Sequence, residues 1–455
     1  MDEAGMTEAG MTDDPRVRLA RAPMTPRQVL AIAACVVLNA LDGFDVLSIS
    51  FASPGIAREW GIDRAALGIV LSMELVGMIA GALVLGHLAD RIGRRPTVIG
   101  CLLLMGAGMG ATAFASGIGM LAALRLLTGL GIGGMLAVTN ALVAEFANDR
   151  WRRTAVAIMA AGYPAGAVAG GAMASALLVD GDWREVFLLG AAMNAVLLPL
   201  VPLLVPEPVG ALLQRRRGDT LARVNRSLAA LGHASLAVLP PPDPLAPRGG
   251  IGGLFTGGMA RSTVLLTVVY FTHLLDFYFI LKWVPKIVAD MGFAASAAGG
   301  VLVWANVGGL AGGVLFSLLS LRLPLRPLLG LFLVASSVMV ALFGRSPADL
   351  QALALAAAGA GFCTNAVIVG LYALVAESFP TAIRAGGTGF VIGIGRGGAA
   401  FSPVLGGFLF EAGFGRGGVA MGGGACSVVP RGALLGLRGA DPARGAMQPA
   451  IEHGP

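Results

Sequence analysis

The sequence predicts an all-α membrane protein made of two six-helix pseudo-repeats, with the twelfth helix degraded or missing. Three observations carry this. Of 455 residues, 56% are hydrophobic and only 13% charged, and the mean hydropathy is +0.80. A soluble chain cannot hide that much apolar surface, and a disordered chain does not carry it. The apolar residues also fall in continuous runs of about 20, the length that crosses a bilayer as a helix, not in the alternation of a membrane β-barrel. Finally, the second half of the chain repeats the first.

Residues 1–27 hold four Arg and five acids without an apolar stretch, so they form a tail and not a secretory signal. The first half, 28–205, carries spans at 28–51, 65–88, 97–116, 118–143, 154–178 and 185–205. Span 4 contains Gly129-x-Gly131-x-Gly133-Gly134. No strand precedes it, so close helix packing explains it better than a dinucleotide site. Span 5 contains Gly162-Tyr-Pro164-Ala-Gly166, a tight and bent helix. Residues 206–262 are polar, with Arg215–Arg217, Arg223 and Arg226 before a run of prolines. They predict a short amphipathic stretch and then a linker. The second half, 263–410, has spans at 263–284, 295–320, 328–344, 349–375 and 386–410.

Twenty basic residues lie in the N-terminal tail and the loops after even-numbered spans, against six in the loops after odd-numbered spans. The positive-inside rule then puts the N-terminus and the central loop in the cytoplasm. Scattered this way, the bases are topology signals, and no nucleic-acid partner is expected. Neither lysine, Lys282 or Lys286, follows a glycine, so there is no phosphate loop. The four cysteines and four histidines are dispersed, which excludes a disulfide framework and a metal cluster. With no nucleophile–base set either, an enzyme is not expected.

A shift of 231 residues lays Gly81, Arg91, Arg95 and Pro96 on Gly312, Arg322, Arg326 and Pro327, and Asp45 on Asp276. A shift of 232 lays Val143-Ala144-Glu145 on Val375-Ala376-Glu377, each with an Arg seven residues on. Repeated halves around a midplane site are the architecture of many secondary transporters.

Span 2 ends in Gly86-His-Leu-Ala-Asp90-Arg91-Ile-Gly93-Arg94-Arg95. This resembles the loop signature of the major facilitator superfamily, and Arg125-Leu-Leu-Thr-Gly129-Leu-Gly131 resembles its span 4 pattern. Asp42-Gly43-Phe44-Asp45 in span 1 and Gly393-Ile-Gly395-Arg396 in span 11 resemble its aromatic acid:proton symporter branch, which includes 4-hydroxybenzoate, protocatechuate and benzoate transporters. The resemblance covers roughly residues 28–410. It implies a multi-pass protein of the bacterial cytoplasmic (inner) membrane, a small aromatic carboxylate as substrate, a proton as coupling ion, no other cofactor, and a monomer in the lipid bilayer.

Within the loop, Gly86 and Gly93 permit close approach. Asp90, Arg91, Arg94 and Arg95 form a charge cluster that can latch one conformation and break in another. The second half keeps Arg322 and Arg326 but has Leu321 in place of the acid, so gating is expected to be asymmetric. Glu145 with Arg152, and Glu377 with Arg384, are expected to clamp helix ends.

A charge at a span centre costs about 2.5–3.5 kcal/mol, so it faces a cavity or a partner. Asp42 and Asp45 are three residues apart and share a face with Asn39. Two carboxyls on one buried face resist joint ionisation, which makes them proton-coupling candidates, with Glu74 a third. Structural salt bridges are the alternative for them. Arg125 and Arg396 offer permanently charged planar forks that fit a carboxylate. One is expected to hold substrate and the other to pair with an Asp, in an order the sequence leaves open. Asn39, Tyr270, Trp304, Asn365 and Tyr372 complete the substrate-binding candidates, since an aromatic ring needs flat walls and few polar groups.

A twelfth span is due near 416–436, yet residues 411–455 hold 12 glycines with Arg and Pro throughout. Such a run is a poor helix former. The abrupt change fits a shifted reading frame or an error in the sequence. Alternatives to aromatic-acid import are a symporter of sugars or shikimate-like metabolites, a drug antiporter, and a receptor that binds without transport.

Overall fold

The computed structural model describes residues 14–216, 218–241, 254–255, 259–379 and 384–419. Eleven long helices dominate. They are α1 (Pro26–Trp60), α2 (Arg64–Ile92), α3 (Arg94–Thr112), α4 (Ile118–Phe146), α5 (Arg152–Leu177) and α6 (Trp183–Leu197) in the first half. The second half has α7 (Met259–Asp290), α8 (Ala295–Ser320), α9 (Leu325–Arg345), α10 (Leu350–Ser378) and α11 (Arg384–Glu411). Among the described residues no strand occurs, and nine helices are long and apolar enough to cross a membrane. The two long helices outside that group are α3, which opens on Arg94-Arg95, and α11, which is glycine-rich and carries Arg396.

The repeat in sequence is a repeat in packing. α2 lies along α4 as α8 lies along α10, and α1 along α5 as α7 along α11. Between the halves, α2 packs on α11 and α5 on α8, which is the same contact taken from each side of a pseudo-twofold axis. Pro54 in α1 and Pro285 in α7 stand at the 231-residue shift, each near the far end of its helix. Neighbouring helices let a membrane helix tolerate such a proline.

α1 runs nine residues beyond the predicted end at 51. It starts at a capping box in which Thr25 accepts from Gln28 N and Gln28 Oε1 accepts from Thr25 N. Pro26 suits the first turn, where its missing N–H costs nothing. At the other end, Trp60 meets the Trp183 ring edge-on at 5.5 Å, and Arg184 binds Glu59 at 2.7 Å. Gly61, at φ +60, closes the helix in the left-handed region.

α1 and α5 touch backbone to backbone. A Cβ at Gly43 would collide with the Tyr163 carbonyl, and one at Gly166 with Ala40. Gly129 and Gly133 likewise meet the backbone of α2 at Glu74 and Met78, so the span 4 glycines serve packing. Gly43→Leu is expected to cost about 1–3 kcal/mol through overpacking, seen as a lower melting temperature in detergent. An unchanged melting temperature would mean that the seam is not tight.

The polar centre of the chain folds back on the first half. Helices Val209–Arg215 and Thr220–Ala230 replace the single amphipathic stretch expected. Val224 and Leu228 are buried. Thr25 Oγ1 donates to Leu231 O at 2.5 Å, Arg27 to Ala229 O at 2.8 Å, and Ser227 Oγ to Glu207 O at 2.6 Å. The proline-rich linker expected at 240–247 lies largely outside the described residues. α11 ends at Glu411, and Arg416–Val419 make one further helical turn. The expectation about the twelfth span and a shifted frame falls mostly on residues 420–455, outside the described residues.

Candidate functional site

Two groups of polar side chains lie at depth. The first is a cluster of ions. Asp42, Asp45, Glu74, Arg125 and Lys282 are each 0% exposed. Glu74 stands between the two bases, with Oε2 3.0 Å from Lys282 Nζ and Oε1 3.7 Å from Arg125. Lys282 also donates to the Val46 carbonyl, so this α7 side chain ties α1 and α2 of the other half. Arg125 donates to Thr112 Oγ1 at 2.6 Å and Thr128 Oγ1 at 3.2 Å, and its guanidinium lies over the Phe187 ring at 4.7 Å. Asp45 Oδ2 accepts from Asn194 at 2.9 Å. Both oxygens of Asp42 lack a hydrogen-bond partner among the described residues. Three carboxyls face two bases, so one bound proton makes the cluster neutral.

The second group surrounds Arg396 on α11. The chain has four tyrosines. Tyr270, Tyr278 and Tyr372 lie close enough to the Arg396 guanidinium to interact with it electrostatically, Tyr372 most strongly. The fourth, Tyr163, approaches Tyr278 from α5. The rings of Tyr270 and Tyr372 meet edge-on at 6.0 Å. Gly395 makes room for this, because a Cβ there would strike the Tyr270 ring. Tyr372 keeps 42% exposure despite these neighbours, so it borders open space and not packed core.

Among the described residues, the ion pairs and close glycine contacts between the halves lie at mid-depth or at the end away from the N-terminus. Arg64 pairs with Asp290 at 2.9 Å. Gly68 meets Pro403, Gly171 meets Val303, and Gly299 meets Ser175. The ion cluster is sealed on that side, whereas the tyrosine group borders the open one.

Other expected residues are placed differently. Trp304 is 55% exposed and shares its outer helix face with Leu315 and Leu318. It is therefore not a wall of the site, because i, i+11 and i+14 fall on one stripe of a helix. Asn39 donates to Met159 O at 2.6 Å and serves as an α1–α5 link. Asn365 wedges against Gly309 of α8. His273, outside the expected set, donates to Thr364 O at 2.9 Å, a tie between α7 and α10.

In the loop, Glu207 accepts from Arg94 N at 2.7 Å, Arg95 N at 2.9 Å and the Arg215 side chain at 2.6 Å. It thereby satisfies the open N–H groups and positive end of α3. Gly93 has φ +123, and a Cβ on it would crowd this carboxylate at 3.0 Å. Gly86 has no such crowding. Asp90 and Arg91 are exposed. The clamp expected between Glu145 and Arg152 is corrected. Glu145 pairs with Arg94, while Arg152 turns back to Asp149 at 2.9 Å and to Ala144 O at 3.0 Å. The α4–α5 turn aims Arg152 at its own helix end and leaves Glu145 facing the start of α3. The Glu377–Arg384 pairing lies outside the described residues, and Glu377 itself is exposed.

Residues 35–267 match the model of the Major Facilitator Superfamily. The chain belongs to this superfamily. The 4-hydroxybenzoate transporter PcaK of Pseudomonas aeruginosa is 31% identical over 84% of this chain and 86% of its own. The 3-(3-hydroxy-phenyl)propionate transporter of Escherichia coli is 32% identical over 84% of this chain and 87% of its own. A structure of the xylose transporter XylE from E. coli in a partially occluded inward open conformation superposes with a TM-score of 0.71 at 16% identity. It covers 92% of this chain and 98% of that one, a likeness of superfamily fold. This superfamily member is a multi-pass transporter-type protein and not an enzyme.

Lys282, Asn194, Tyr163 and Glu207 add to the expected residues. A span 7 that ends at 284 leaves Lys282 at a helix end, but α7 continues to Asp290 and carries it two turns inside. Asn194 was a visible signal, a lone amide in an apolar span. Tyr163 and Glu207 gave none beyond their residue type.

Proposed function

We propose that this chain imports a small aromatic carboxylate with a proton across the bacterial cytoplasmic membrane, by alternating access and as a monomer. Its N-terminal end faces the cytoplasm. The observation that carries the reading is the gathering of tyrosines at Arg396. A guanidinium fork matches a carboxylate, and phenol rings supply flat walls with hydroxyls for the ring substituents of the substrate. The names of the two relatives support the same class of substrate. Arg125, by contrast, is occupied by Glu74 and its threonines, so Arg396 is the carboxylate ligand and Arg125 belongs to the coupling cluster.

The charge count supports proton coupling. With one proton aboard, the Asp42–Asp45–Glu74–Arg125–Lys282 cluster is neutral and the far end can stay closed. Loss of the proton leaves an unbalanced buried charge, whose cost drives a change of state. Asp42, without a hydrogen-bond donor, is the site at which the proton is exchanged.

The test is uptake of radiolabelled 4-hydroxybenzoate and protocatechuate by proteoliposomes, with and without an inward proton gradient, beside shikimate and xylose. Gradient-driven accumulation of the aromatic acids alone is expected. Binding without accumulation by folded protein would favour a receptor. Replacing residues 416–455 by a 20-residue apolar span is expected to increase membrane-integrated protein, measured by fluorescence-detected size exclusion. No increase would count against a damaged twelfth helix.

A further inference from the structure

At the N-terminal end of the molecule, a groove of about 280 Å³ runs between the start of α3, the short helix Leu200–Leu204 that follows α6, and helix Thr220–Ala230. Three arginines line it, Arg95, Arg223 and Arg226, with one acid, Glu207. That acid is already committed to Arg215 and to two N–H groups of α3, so the groove keeps an excess of positive charge. Arg95 is fixed there by its bond to Pro202 O at 2.6 Å. The floor is apolar, formed by Pro202, Leu203 and Leu204. From this floor an apolar strip leads along the span Trp183–Leu204, from its last short helix onto α6, towards the membrane centre: Leu203 is 76% exposed, Leu200 39% and Val196 65%. These positions lie i, i+4 and i+7 apart, on one helix face.

We propose that this groove binds one anionic phospholipid, its phosphate on Arg95, Arg223 and Arg226 and its acyl chains along Leu203, Leu200 and Val196. Basic groups at the headgroup level above an outward apolar strip match both ends of such a lipid. A free phosphate compound matches the arginines alone. The site is independent of the substrate carried.

The full chain, purified in detergent, is titrated with phosphatidylglycerol, phosphatidylcholine or glycerol 3-phosphate, and bound copies are counted by native mass spectrometry. One copy of phosphatidylglycerol is expected to bind at least tenfold tighter than phosphatidylcholine. Arg223→Ser with Arg226→Ser is expected to weaken it about 25-fold, fivefold for each arginine at a membrane surface. Leu203→Asn is expected to weaken it as well. Arg322→Ser with Arg326→Ser, at the α8–α9 turn, is expected to leave it unchanged. Equal affinity for the two lipids, or an unaffected Arg223/Arg226 variant, overturns the proposal. Glycerol 3-phosphate binding as tightly as phosphatidylglycerol also overturns it, because the site would then be one for free phosphate compounds.

Discussion

Arg396→Ala is expected to lower the affinity for 4-hydroxybenzoate by a factor of about 30 to 5,000, while the protein stays folded. Removing one partner of a buried charge pair costs about 2–5 kcal/mol. Arg396 is half-buried and its neighbours are neutral phenols, so the empty protein loses little when the charge goes. The penalty falls on the bound carboxylate. Arg396→Lys keeps the charge but not the two-pronged fork, and it is expected to recover only part of the affinity. The measurement is displacement of labelled substrate from purified protein, with the melting temperature as a check on folding. An Arg396→Ala variant that binds normally would remove the basis for the proposed site. The same loss of binding in Arg125→Ala is uninformative without folding data, because Arg125 is held by four side chains in the core.

Lys282→Met is expected to behave differently, destabilising the protein by about 3–5 kcal/mol because it leaves three buried carboxyls with Arg125 alone, 3.7 Å from Glu74. Lys282→Met with Glu74→Gln removes both charges, and it is expected to regain most of that stability. Thermal melting of the two variants in detergent decides this. Coupling is expected to return with stability, because Asp42 and Asp45 then face Arg125 alone and one bound proton still makes the cluster neutral. The double variant should concentrate labelled substrate with a proton gradient. If Lys282→Met alone melts like the parent, the pair does not hold the far end closed. If the stable double variant fails to concentrate substrate, Glu74 itself is part of the proton path and the charge count does not describe the coupling.

Much of this was legible in the chain itself. The number and order of helices followed from apolar runs, because a bilayer leaves the backbone few alternatives. The pseudo-twofold followed from the 231-residue shift, and it reappears in unforeseen detail at Pro54 and Pro285. Asp42, Asp45, Glu74, Arg125 and Arg396 stood out because each is expensive where it lies. The sequence could not divide them into two groups, since that depends on which helices of opposite halves meet. Nor could it tell which aromatic faces inward, since Trp304 and Tyr270 look alike as members of apolar spans. Clamps between sequence neighbours were misjudged for the same reason. Glu145 found Arg94, about fifty positions earlier in the chain, because α3 and α4 pack side by side.

The bonds that fasten the central segment to the first half have a mechanical consequence. Residues 206–239 are anchored through Glu207, Ser227 and Leu231 to α3, to each other and to the start of α1. They therefore travel as cargo of the first half. The second half takes hold of the chain again at Leu254, which is buried and accepts from Thr263 of α7 at 3.0 Å, and at Phe255, which meets the Phe390 ring of α11. From about residue 240 to Leu254 a fully extended chain reaches roughly 45 Å. A cut between those two positions leaves both sets of anchoring contacts in place. Two separately made halves, 1–240 and 254–455, should then reassemble through the α2–α11 and α5–α8 faces alone.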